Sequence, residues 1–66
     1  NDEILVPVLS GQELDMPEGS RTLFAYDLPA EPDTLRTGFV ASVRALHTVL
    51  PALSAQGVTL EHVYDY

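Results

Sequence analysis

Two Tyr-Asp pairs, Tyr26-Asp27 and Tyr64-Asp65, and two imidazoles, His47 and His62, are the side chains of this sequence best suited to chemistry. Each Tyr-Asp pair falls near the end of a segment that reads as a strand. If those strands run parallel, Asp27 and Asp65 share the carboxyl edge of the sheet, where open α/β sheets place their ligands. Two carboxylates there can bind Mg²⁺ or Ca²⁺, or hold one proton between them. Tyr64 or Tyr66 then offers a phenolic hydrogen bond. The competing account is structural, because Asp is common where strands end and Asp27 can simply open the turn at Leu28-Pro29. No further cluster of Asp and Glu completes a cage. Asp27, Asp65, His62 and Tyr64 are therefore the catalytic candidates, with no sequence motif to support them.

Metal chemistry has even less to work with. There is no cysteine, and the two histidines form neither an H-x-x-x-H nor an H-E-x-x-H pattern. They would need Glu61 or Asp65 to complete a ligand set, and a half-buried, hydrogen-bonded histidine is the more ordinary state of each. Nucleophilic catalysis lacks a motif as well. Ser10, Ser20, Ser42 and Ser54 sit in no G-x-S-x-G elbow, and Ser10-Gly11 and Gly19-Ser20 read as turns, not as a phosphate cradle. No cofactor and no metal are implied.

The elements that would carry these residues are read from periodicity. Leu35, Phe39, Val43, Leu46, Leu50 and Leu53 recur at spacings of four, four, three, four and three. This predicts an amphipathic helix over 33–56. Asp33 is its candidate N-cap, Gly57 its left-handed C-cap, and Pro51 predicts a kink. Residues 3–9 read as a strand, and Pro7 within them predicts an edge position. Residues 12–15 could form a short strand, and Met16 to Ser20 a turn. Residues 21–28 are consecutively apolar at their centre, which predicts a central strand buried on both faces. Residues 58–66 read as the last strand. Strand, helix, strand implies a right-handed crossover and parallel pairing. The predicted fold is a small α+β domain of type β(β)βαβ spanning 1–66, with one kinked helix on a 3–4 stranded mixed sheet. A single helix covers one face only. Phe24 or Tyr26 on the other face would favour a second copy as its cover.

Length and charge then bound the function. A chain of 66 residues buries a small core, so a partner chain is the leading way to add buried area in the absence of disulfides. Ten acids against three bases, all arginine, give a net charge of −7, which disfavours nucleic acid and anionic membranes. It favours a basic protein partner. Five acids (Asp2, Glu3, Glu13, Asp15, Glu18) precede the first base, so an acidic nucleic-acid mimic is a third reading. No segment reads as a signal peptide or a membrane span, which leans toward the cytoplasm. The chain begins at Asn1, so it is compatible with a processed or excised fragment. The leading expectation is a non-catalytic protein-interaction module or small subunit that associates through its sheet or helix, as a homo-oligomer or part of a complex. The alternative is a small enzyme or a ligand- or metal-binding domain with its site at the strand ends or a dimer interface.

Overall fold

In the computed structural model, which describes residues 3–61 and the backbone of 64 and 65, the chain is a small α+β fold. The strands are β1 (Glu3–Ser10), β2 (Ser20–Leu28), β3 (Glu31–Ser42), β4 (Thr59–Leu60) and β5 (Tyr64–Asp65). One helix, α1 (Leu46–Ser54), lies between β3 and β4. The sheet order is β2-β3-β1-β4, with β5 also paired to β1, and every pairing is antiparallel.

The predicted helix over 33–56 is thus corrected: its first part is the twelve-residue strand β3, and only its second part is helical. Leu35, Phe39 and Val43 are four apart, and four is a multiple of the two-residue strand repeat as well as one helical turn. The first spacing of three, Val43 to Leu46, coincides with the start of α1. Within β3, Leu35, Phe39 and Ala41 fall on one face, while Arg36, Gly38 and Val40 fall on the other. Asp33, read as an N-cap, lies in this strand. The actual N-terminus is prepared by Ser42, whose Oγ accepts the Ala45 N–H at 3.0 Å.

The parallel β-α-β crossover is corrected with it. Since β3 occupies part of the predicted helix, β2 and β3 form a hairpin closed by Pro29-Ala30. The chain after α1 returns antiparallel to β1. Helix α1 ends on Gln56 and Gly57. Gln56 N–H donates to the Leu53 carbonyl at 2.9 Å, Gly57 N–H to Ser54 at 3.0 Å, and Gly57 takes φ 81°. That left-handed value is the one predicted for it. Pro51 is accommodated inside the helix.

The core forms where α1 crosses the helix-facing side of the sheet. Val6, Val8, Phe39, Ala41, Val49 and Leu53 make one buried cluster. Residues 12–15 form no strand; Leu14 and Met16 of this loop instead close the flank of the core. The loop is pinned to the helix end by Gln56. Its amide oxygen accepts the Asp15 N–H at 2.9 Å and its amide nitrogen donates to the Asp15 carbonyl at 2.8 Å. One side chain here imitates the paired bonds of a neighbouring strand.

Two strand positions are exchanged relative to expectation. β1, expected at an edge, is interior, between β3 on one flank and β4 and β5 on the other. Pro7 is tolerated there because its carbonyl still bonds on its outer flank although its nitrogen donates nothing. Its carbonyl accepts the Glu61 N–H at 3.1 Å, so its missing donor faces Glu61, the residue directly after β4. β2, expected at the centre, is an edge strand, paired among the described residues only to β3 and exposed along most of its length. Its apolar run reflects a register irregularity between Thr22 and Phe24, not burial on two faces. Of the predicted last strand, Thr59–Leu60 (β4) and Tyr64–Asp65 (β5) are strand; His62, Val63 and Tyr66 lie outside the described residues.

Candidate functional site

The sheet face away from α1 carries the most organised polar structure among the described residues. Register places Arg21, Phe24 and Tyr26 of β2 there, opposite Val40, Gly38 and Arg36 of β3. Leu5, Pro7 and Leu9 of β1 continue the same rows. Val40 is 1% exposed yet lies outside the helix-side cluster, so this face keeps a small apolar floor of its own.

Arg36 is the hub. Its Nε donates to Glu61 Oε1 and its Nη2 to Glu61 Oε2, both at 2.9 Å, in the two-pronged geometry that a guanidinium makes with a carboxylate. The bridge spans β1, because Glu61 lies beside Pro7 and Arg36 pairs with Leu9. The remaining Nη1 donates to the Tyr26 hydroxyl at 2.9 Å. The hydrogen bond to Glu61, and then that to Tyr26, raise the Arg36 pKa above its ordinary value. The hub is therefore a fixed cation at every accessible pH. The guanidinium carbon lies 5.8 Å from the Tyr26 ring centre; with Nη1 bound to the hydroxyl, the directed hydrogen bond is the stronger restraint.

Tyr26 in turn stacks on Phe24, with ring centres 5.8 Å apart and planes inclined by 24°. Phe24 lies flat over Gly38. A Cβ at Gly38 would sit 2.7 Å from Phe24 Cε1 and closer still to Cζ and Cε2. The glycine thus leaves the space the ring occupies, a cross-strand pairing that shields the backbone the glycine would expose. Even so, Phe24 and Tyr26 remain 37% and 44% exposed. At the far end of the face, Arg21 Nη2 meets Glu3 at 3.2 Å.

Two of the catalytic candidates fall at opposite ends of the sheet. Asp27 lies in the row Asp27–Leu35–Ser10, whereas the backbone of Asp65 lies opposite Ile4, six residues away along β1. At about 3.4 Å per residue the two rows are roughly 20 Å apart. Tyr64 pairs with Leu5, and His62 falls outside the described residues. Asp27 instead lines a groove with Glu13 and Asp33 near the β2–β3 hairpin. His47 is exposed beside Arg44 in a shallow cleft at the start of α1. Among the described residues no three His, Asp or Glu side chains gather as a metal site, and no helix is long and apolar enough to cross a membrane.

Sequence reading missed Arg36 and considered Glu61 only as an aid to the histidines, so the Arg36–Glu61 pair went unseen. They are 25 residues apart and meet only through the strand register. The usable signal was the composition of β3, where a lone arginine interrupts a run otherwise fit for burial. No family model, curated protein or solved structure matches this chain.

Proposed function

We propose that this chain is a non-catalytic protein-interaction module or small subunit whose contact surface is the β2 edge together with the adjoining aromatic face. One observation carries the reading: Phe24 and Tyr26 stand side by side, partly exposed, on a nine-residue strand with no neighbour on its outer flank among the described residues. An exposed edge strand offers unpaired backbone donors and acceptors to another chain. The Glu61–Arg36–Tyr26 chain of bonds holds the ring in place before contact, which reduces the ordering cost of association. A basic segment on the partner would also find the carboxylates of Asp27, Glu31 and Asp33 around the hairpin.

The test is positional. A photo-crosslinking residue at Leu23, on β2, is compared with one at Val43, in the turn before α1; both sites are exposed. A discrete protein adduct from position 23 and none from position 43 is the expected result. Equal or absent crosslinking at both positions would reject the β2 edge as the contact surface.

A further inference from the structure

We infer that residues 58–61 are a strap clasped over the Pro7–Leu9 stretch of β1 by the Arg36–Glu61 pair, and that breaking the clasp uncovers this stretch as a second sheet edge. The inference does not depend on what occupies β2.

Four observations carry it. First, the two flanks of β1 are closed unequally. β3 pairs with eight residues of β1, Glu3 to Ser10, whereas β4 pairs with two, Val8 and Leu9, and β5 with two, Ile4 and Leu5. Second, the strap has few other ties. Val58 packs against the core, but Thr59, Leu60 and Glu61 are exposed. Among the described residues, the bonds from Arg36 to Glu61 are the only side-chain hydrogen bonds made to 58–61. They reach over β1 to β3, so the clasp anchors the strap to the strand beyond its neighbour. With two prongs at 2.9 Å and side chains 33% and 28% exposed, it is stronger than a surface pair yet reachable from solvent.

Third, the strap joins α1 through Gly57, which takes φ 81° and has nothing within 4 Å of the place a Cβ would fill. That junction can turn without displacing a neighbour. Fourth, the covered stretch contains Pro7, whose missing donor faces Glu61. Proline is one of the means by which sheet edges resist the addition of foreign strands, and a flank covered at all times has no need of it. Its place here is that of a guard on an edge that is bare part of the time. Arg36 also donates to the Tyr26 hydroxyl, so closing the strap and fixing the ring on the open face are one event.

Amide hydrogen exchange on the whole chain, read residue by residue by NMR, decides it. Along an antiparallel strand the backbone groups of successive residues point to alternate flanks. The Pro7 carbonyl is directed at the strap, so the Leu9 N–H faces the strap as well, while the N–H groups of Val6 and Val8 face β3. In the native chain Leu9 and Glu61 amides are expected to be less protected than those of Val6 and Val8 by roughly tenfold or more. Glu61→Gln should lower protection of the Leu9 amide by a further ~3- to 30-fold and leave Val6 and Val8 unchanged. Arg36→Gln should do the same, and the double variant no more than either alone, because both remove one interaction. Arg21→Gln, which breaks the ion pair to Glu3, should leave Leu9 unaltered. Equal losses at Val6 and Val8 would mean that the pair stabilises the fold as a whole and that no strap opens. An unaltered Leu9 amide, or losses that add in the double variant, would mean that the pair is not the clasp. Either result overturns the inference.

Discussion

Gly38→Ala is the substitution whose effect the geometry specifies most sharply. An alanine normally stabilises a strand interior relative to glycine by roughly 0.5–1 kcal/mol, because the unfolded chain loses freedom. At Gly38 the added methyl would occupy the space of the Phe24 ring. Moving the ring aside costs the flat contact with the strand and strains its stack on Tyr26. Inserting a methyl into filled space typically costs about 1–3 kcal/mol. The net expectation is a loss of roughly 0.5–2 kcal/mol. With an unfolding entropy near 2.1 cal/mol/K per residue, a 66-residue chain loses about 7 °C of Tm per kcal/mol. Thermal melts followed by far-ultraviolet circular dichroism should therefore fall by roughly 4–14 °C. The decisive comparison uses Phe24→Ala as a second background. With the ring gone, the same Gly38→Ala change should become neutral or stabilising by about 0.5–1 kcal/mol. An equal loss in both backgrounds would mean that the cost comes from the backbone at position 38, and the ring-over-glycine account would be refuted.

Two further substitutions probe the rest of the fold. Leu53→Ala removes a fully buried side chain at the centre of the helix–sheet cluster. It should cost about 2–5 kcal/mol, a large share of the roughly 3–10 kcal/mol expected for a chain of this size. Urea titration should show partial or complete unfolding without denaturant, and a change below 1 kcal/mol would displace Leu53 from the core. Gln56→Ala deletes both bonds to the Asp15 backbone. Hydrogen exchange should show the Asp15 amide losing protection by roughly fivefold, as expected for about 1 kcal/mol of local bonding. Amides of β1 and β3 should be unchanged; an unaltered Asp15 amide would mean the loop is held by Leu14 and Met16 alone.

The sequence announced parts of this fold well and others not at all, for reasons that can be located. Gly57 was legible because a left-handed C-cap is a local requirement that glycine meets best. The helix was legible only from Val43 onward. Over Leu35, Phe39 and Val43 a spacing of four satisfies both a helix and a strand, and β3 was decided by its partners instead. It is paired on both flanks, to β1 and β2, which no local pattern states. Pro7 carried a true signal that was misassigned. It marks a missing ladder donor, but in an interior strand, on the flank where the Pro7 carbonyl still accepts the Glu61 N–H. The Tyr-Asp coincidence failed in the same way, since its meaning depended on a parallel pairing that β3 removes.

The charge of the chain also means something different once the fold is known. A net −7 reads as uniform repulsion between copies, but the arginines are not spread evenly. Arg21 and Arg36 both lie on the open face, each bonded to a glutamate, so that face is locally balanced. The acids outside these pairs include Glu13, Asp15 and Glu18 in the loop after β1, and Asp27, Glu31 and Asp33 around the hairpin. At physiological ionic strength charges act over about 8 Å. Salt therefore separates the two kinds of partner. A basic partner held by the acidic loop should dissociate steeply as salt rises, because its affinity rests on many exposed charges. Association through β2, resting on backbone pairing and the rings of Phe24 and Tyr26, should weaken only modestly.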